Sequence, residues 1–175
     1  MKKIHRKQKT IMTAAKLLLI GLTAVYPLFM TMLTGIGIIS KSGSYGSKIT
    51  ICGAALVISG AFLTTAAILC LFRKSLTNLL SMIIAVPSFS VCMTALLKLV
   101  SHAESAGWMG HGLYSAVPVA DMYRQRIFPV ILPFLLTLAI AAVQYFSYDS
   151  AEERREKRRR KDAEKNAPAP KIIDS

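Results

Sequence analysis

Four long stretches of this 175-residue sequence contain no Asp, Glu, Lys, Arg or His. These uncharged windows are residues 17–39, 49–72, 75–97 and 127–148, and each is 22 to 24 residues long. A helix needs about 20 mainly apolar residues to cross the roughly 30 Å hydrocarbon core of a bilayer. Helices of soluble proteins are typically shorter and carry a polar face, which argues against a soluble fold. We therefore expect an all-α, polytopic membrane protein built as a four-transmembrane-helix bundle.

The absence of charge inside these windows also argues against a class of function. Proton pumps and ion-coupled transporters usually carry ionisable side chains within the membrane, where these groups bind or relay ions. The most polar side chains of the four windows are Asn78 and Gln144, both near the ends expected on the inner side. Proton-coupled transport by this chain alone is therefore not expected, whereas transport of an apolar or lipidic substrate remains open.

Cysteine is scarce, and its spacing fits no zinc motif. Cys52, Cys70 and Cys92 all lie inside the expected spans and form no CxxC pair. We interpret them as small packing residues. A Cys52–Cys92 disulfide stays open, because a hairpin of the second and third spans would place both at a similar depth. No cofactor-binding motif is present, so no cofactor is expected.

Acidic residues are also scarce: 9 Asp and Glu stand against 22 Lys and Arg, which gives a net charge of +13. With four crossings, 17 of the 22 basic residues fall on one side, namely up to Lys16, in the Arg73–Lys74 turn and after Tyr148. Basic residues that flank membrane spans stay in the cytoplasm. The sequence therefore predicts a plasma (cytoplasmic) membrane protein with both termini in the cytoplasm.

The predicted organisation has three parts. Residues 1–16 form a basic cytoplasmic tail, residues 17–148 the transmembrane domain with an outer loop at 98–126, and residues 149–175 a second basic cytoplasmic tail. The first window follows a basic start, as the apolar region of a signal peptide would. Its length exceeds the roughly 7 to 15 apolar residues of such a signal, so we interpret it as an uncleaved signal anchor.

Small residues and prolines within the spans indicate how the helices pack. A stripe of small side chains in the second span lets another backbone approach closely. A proline frees a carbonyl group and bends a helix, which membrane bundles tolerate where neighbours satisfy that group. The predicted packing residues are Gly53, Gly60, Thr64 and Ala67. The predicted kinks are at Pro27, Pro87, Pro129 and Pro133.

The expected outer loop collects polar and aromatic residues, including Trp108, the single tryptophan of the chain. Four of its side chains are of types that bind divalent metal ions or transfer protons. These candidates are His102, Glu104, His111 and Asp121. Their spacing matches no compact metal motif, and no nucleophile signature accompanies them. We interpret the segment as a structural loop, with metal or haem contact, catalysis and partner recognition as alternatives.

The sequence after Tyr148 changes from apolar to highly charged. Glutamates and basic residues spaced i, i+4 predict a helix to about Lys165, followed by a disordered end. Basic side chains beside a membrane attract the anionic headgroups of the inner leaflet. The residues expected to make this contact are Arg154, Arg155, Lys157, Arg158, Arg159, Arg160 and Lys161. Docking of an acidic protein is a second interpretation, whereas nucleic acid is not expected, because no aromatic residues interleave with the charges.

These observations leave three hypotheses for function. The first is a non-enzymatic accessory or interaction subunit of a membrane complex, because the spans lack charge, catalytic motifs are absent and the basic tail suits docking. The alternative is a small oligomeric channel or transporter for an apolar or lipidic substrate, since mid-span prolines have hydroxyl side chains nearby. The third is an outer-surface enzyme or metal-binding loop. The first two imply a protein partner or a homo-oligomer.

Overall fold

The computed structural model describes residues 2–25, 27–72, 74–110 and 114–165 of the chain. Within these ranges the fold is helical, with no strand, which confirms the expected all-α class there. The helices are α1 (Lys2–Val25), α2 (Pro27–Ser40), α3 (Ser42–Tyr45), α4 (Ser47–Leu69), α5 (Ser75–Ser105) and α6 (Val119–Lys165).

Three of these helices are long and apolar enough to cross a membrane. They are α4, α5 and the part of α6 from Val119 to Ser147. They cover the second, third and fourth uncharged windows, so the prediction of membrane-spanning helices is confirmed for those three. Their length and composition indicate an integral membrane protein.

The first window does not form one long helix. α1 ends at Val25 and α2 begins at Pro27, with Tyr26 between them outside the described residues. The apolar helical segments on either side are Thr10–Leu22 and Leu28–Ser40, each shorter than a membrane span. Proline suits the first position of a helix and disfavours helical geometry at the residue before it. Pro27 therefore marks a helix boundary, where the sequence predicted a kink within one span.

The other three prolines at which the sequence predicted kinks lie inside continuous helices. Pro87 falls within α5, and Pro129 and Pro133 fall within α6. Hydroxyl groups nearby bond to backbone carbonyls: the Thr137 hydroxyl donates to the Pro133 carbonyl at 2.8 Å, and the Ser88 hydroxyl to the Ile84 carbonyl at 2.7 Å. Such bonds keep polar side chains satisfied where water is absent.

Helix α5 packs antiparallel against both α4 and α6. The Ser81 hydroxyl of α5 donates to the Ala66 carbonyl of α4 at 2.7 Å, and the rings of Phe89 on α5 and Phe134 on α6 stack with centroids 3.9 Å apart. This arrangement gives the bundle two ends. We call the end at which α4 begins, α5 ends and α6 begins the loop end. We call the opposite end the arm end; there α4 ends, α5 begins and α6 continues into its basic segment.

Helix α2 packs antiparallel against α4 through glycines. A Cβ atom added at Gly35 would lie 2.5 Å from the carbonyl oxygen of Gly53, and one added at Gly60 would lie 2.7 Å from Cγ of Met32. A Cβ at Gly53 would in turn meet Ile38 at 2.8 Å. The two backbones approach this closely because neither glycine carries a side chain, as in other membrane helix pairs.

Helix α1 packs beside the half of α4 that lies toward the arm end. Leu19 is buried in a cluster with Ala67 and Cys70 of α4 and with Ile140 of α6. The Nζ of Lys16 donates to the Leu71 carbonyl at 2.7 Å, just past the end of α4. Residues 16–25 and 27–38 therefore lie along α4 from its end back to its second turn.

Burial follows from these contacts. Leu56 of α4, Leu96 and Leu99 of α5 and Val130 of α6 are buried in one cluster at the centre of the bundle. Large apolar side chains also cover the outer surface; Ile51 and Phe128 are more than two-thirds exposed. An apolar exterior of this kind suits lipid, where exposed aliphatic groups meet acyl chains and not water.

Replacing Gly35 by Ala is expected to weaken the α2–α4 contact, because the new Cβ would meet backbone that must move apart. We expect the free energy of unfolding to fall by about 1–3 kcal/mol. Gly37→Ala is the matched control, since a Cβ there meets nothing within 4 Å. Thermal unfolding of both variants in detergent is the measurement. Equal midpoints would contradict the close packing of α2 on α4.

Candidate functional site at the loop end

The loop between α5 and α6 is shorter than the sequence predicted. α5 continues to Ser105 and α6 begins at Val119, so residues 106–118 connect them where a loop over 98–126 was expected. Two residues after the end of α5, Gly107 has a φ of +61°. The Gly107 N–H donates to the Glu104 carbonyl at 3.1 Å and the Trp108 N–H to the Ala103 carbonyl at 3.0 Å. This Schellman pattern satisfies the last carbonyls of α5 and turns the chain back.

The connecting segment is folded onto the bundle. The Gly110 N–H donates to the Val117 carbonyl and the Val119 N–H to the Trp108 carbonyl, both at 2.9 Å. The Trp108 ring is half-buried against a small apolar cluster that includes Ala103. Backbone pairing and an aromatic anchor therefore fix the position of the segment, apart from residues 111–113, which lie outside the described ranges.

The four candidate ligands of this region do not form a metal site among the described residues. Glu104 and Asp121 both pair with Arg124, Asp121 at 2.9 Å, so a guanidinium group lies between the two carboxylates. The His102 ring lies edge-on to Trp108, with centroids 5.0 Å apart. His111 is outside the described residues, and the rest contain no group of three or more His, Cys, Asp or Glu side chains placed for a metal.

A cavity of about 700 Å³ opens beside this cluster, between the start of α4 and the last turns of α5. Lys48 of α4 and Lys98 and His102 of α5 line it, and we call this cavity the basic mouth. Cys52 and Leu99 form part of its apolar lining. Among the described residues, the lining includes two lysines and no Asp or Glu. Its chemistry favours an anion at the loop end of the bundle.

Two further cavities lie beside this one along α4 and α5. A second cavity of about 290 Å³ shares Cys52 and Lys98 with the basic mouth and also touches Val91. A third, of about 360 Å³, shares Val91 with the second and reaches Phe62 and Pro87. We call the second and third cavities together the apolar groove. The basic mouth and the apolar groove are neighbouring cavities that share lining residues, with lysines at the upper end and mainly apolar side chains below.

At the arm end the polar groups are used in packing. The Nζ of Lys16 donates to the Leu71 carbonyl and to the Oε1 of Gln144, at 2.7 and 3.0 Å. The Nε2 of Gln144 donates to the Cys70 carbonyl at 2.8 Å. The last carbonyls of a helix have no hydrogen-bond partner within it, and the helix dipole stabilises a cation placed beside them. This network joins α1, α4 and α6.

The three cysteines are free thiols. Cys70 and Cys92 are buried, and Cys52 is half-buried at the wall of the basic mouth. The disulfide that the sequence left open between Cys52 and Cys92 is thus not formed in this structure.

Beyond Ser147, α6 continues without interruption to Lys165. The basic residues expected to contact lipid lie on this segment, and the side chain of Arg159 is exposed. Residues 166–175, for which the sequence predicted disorder, are outside the described ranges. We call residues 148–165 the basic arm.

No protein-family model, no curated protein and no solved structure matches the chain.

Replacing Lys16 by Met is expected to destabilise the bundle, because it removes the donor to Leu71 and Gln144 while keeping most of the apolar stem. Hydrogen bonds that involve a charged group contribute about 1.5–3 kcal/mol each. Lys41→Met is the control, since Lys41 is exposed. Thermal unfolding in detergent should show a lower midpoint for the Lys16 variant only. Identical midpoints for the two variants would mean that the network adds nothing to stability.

Proposed function

We propose that the protein is a multi-pass integral membrane protein with four crossings, and that it acts without catalysing a reaction, as an accessory or interaction subunit of a membrane complex. Contacts of α1 and α2 support the fourth crossing. Lys16 bonds at the end of α4 and Ile38 meets Gly53 near its start. We infer that residues 16–25 and 27–38 form an interrupted crossing beside α4.

The distribution of charge supports an orientation with both termini in the cytoplasm. The arm end carries Lys16, Lys74 and the basic arm, whereas the loop end carries five basic residues, Lys41, Lys48, Lys98, Arg124 and Arg126. Basic residues next to membrane spans are kept on the cytoplasmic side. The arm end is accordingly the inner end, and the location is the plasma (cytoplasmic) membrane.

One observation carries the role as an interaction subunit: the continuity of α6. The helix passes from its apolar part into the basic arm with no break, and the arm adds a rise of about 27 Å beyond Ser147. A continuous helix fixes the direction of the arm relative to the bundle. Its cationic side chains then meet the anionic headgroups of the inner leaflet and an acidic surface of a protein partner. Nucleic acid is not part of this proposal.

A second function is favoured by a specific feature, the apolar groove between α4 and α5. A groove that opens to the side of the bundle gives an apolar or lipidic molecule a way in from the bilayer. Several copies of the chain would then form a small transporter or channel for such a substrate. A homo-oligomer without a partner is the state that this second function requires.

Reporter fusions at the two termini test the four crossings. An even number of crossings places both ends on one side, whereas three crossings, by α4, α5 and α6 alone, place them on opposite sides. We expect a reporter active only in the cytoplasm to work at either end, and a reporter active only outside to fail at both. Insertion of the outside reporter after Ser115 is the positive control. Opposite sides for the two ends would contradict the proposal.

Neutralising the basic arm tests the interaction role. The variant replaces seven residues by Gln, and its control replaces the five arginines among them by Lys, which preserves the charge; the positions are Arg154, Arg155, Lys157, Arg158, Arg159, Arg160 and Lys161. We expect a partner at fixed stoichiometry to co-purify with the native chain and the Lys control, and to be lost from the Gln variant. The mass of the complex in mild detergent is the readout, with the terminal reporters confirming unchanged orientation. A homo-oligomer of the native chain with no partner would contradict the accessory role.

A further inference from the structure

Among the described residues, the basic mouth is lined by two lysines and by no Asp or Glu. Lys48 and Lys98 line one cavity, although they come from different helices. The two acidic residues of the sequence before Asp149, Glu104 and Asp121, both pair with Arg124. Two ammonium groups at one site repel each other unless an anion lies between them. The mouth is therefore built to receive negative charge from outside the chain.

The start of α4 adds to this preference. Gly46 precedes the helix with no side-chain hydrogen bond to its first amides, and Gly46, Ser47 and Lys48 all line the cavity. The first amides of a helix have no partner within it and carry partial positive charge. They reinforce the two lysines, which supply the main attraction.

The dimensions below the mouth match one leaflet of a bilayer. From Lys98 to Pro87 the rise along α5 is about 16 Å, close to the roughly 15 Å of hydrocarbon in half of a membrane. Over this distance the wall changes from a charged rim at Lys98 to Val91 and Pro87, and α4 contributes Phe62 at the bottom. Val91 and Phe62 are about half exposed, so the groove opens sideways to the bilayer.

We propose that the groove between α4 and α5 binds one anionic phospholipid, with its phosphate at the basic mouth and one acyl chain in the apolar groove. A water-soluble phosphate would use the mouth alone and leave the groove without an occupant. A zwitterionic lipid would bring a cationic group next to Lys48 and Lys98. An anionic diacyl lipid satisfies both cavities, with its phosphate at the two lysines and an acyl chain along the apolar groove. The inference rests on the placement of the helices in a membrane, and not on the accessory role or on which end faces the cytoplasm.

The test uses the full chain, purified in detergent and depleted of lipid. Phosphatidylglycerol is added as the probe, phosphatidylcholine with the same acyl chains as the neutral comparison, and glycerol phosphate as the headgroup alone. Native mass spectrometry counts the lipids retained per chain. We expect one phosphatidylglycerol per chain at concentrations at which phosphatidylcholine and glycerol phosphate are not retained.

Variants locate the site. Lys48→Gln with Lys98→Gln should lower the affinity for phosphatidylglycerol at least tenfold, whereas Lys41→Gln, an exposed lysine outside the cavity, should not change it. Val91→Trp should fill the groove and have a similar effect. Its control is Leu135→Trp, because Leu135 is equally exposed on α6 and does not line the groove. Unchanged unfolding midpoints establish that all variants are folded.

Three results would overturn the inference. They are equal retention of the two lipids, retention of glycerol phosphate as strong as that of the whole lipid, and no effect of the Lys48 and Lys98 changes. The terminal reporters separate this failure from failure of the proposed topology. If both termini lie on one side and no lipid is bound selectively, only the lipid site is contradicted. If the termini lie on opposite sides, the proposed topology is contradicted.

Discussion

The structure depends on one constraint: a polypeptide in hydrocarbon must satisfy its backbone hydrogen bonds within itself. Uncharged windows of membrane length answer this constraint by forming helices, and α4, α5 and α6 are the result. Polar side chains are then confined to the two ends or bonded to the backbone, as the Ser81 hydroxyl is to Ala66. With little hydrophobic drive between helices in lipid, close approach at Gly35 and Gly53 supplies much of the packing.

The sequence was sufficient to predict those parts of the fold that depend on composition alone. The length and charge of three windows predicted the membrane-spanning helices, because transfer into lipid depends on the side chains themselves and not on their neighbours. The first window shows the limit. Pro27 was visible as an interruption, but whether a proline bends a helix or ends it depends on the neighbours that satisfy the freed carbonyls, which is a property of the packed bundle.

The candidate site lies beyond that limit. Glu104 and Asp121 stood out as polar residues of a loop, yet their pairing with Arg124 requires α5 to reach Ser105 before the chain turns. The signal for that extension was the glycine after it, in a helix-ending position. The sequence did not predict that Lys48 and Lys98 line the same cavity. They are distant in sequence and come to one cavity only because α4 packs against α5.

Alkaline extraction of membranes tests most directly whether these helices reside in lipid. Carbonate washing releases proteins held to a membrane by charge, the basic arm included, and leaves those held by apolar helices. The protein is expected to remain in the membrane pellet and to enter solution only with detergent. Release by carbonate, with a monodisperse protein in buffer that contains no detergent, would contradict the membrane placement on which the fold and both proposals depend.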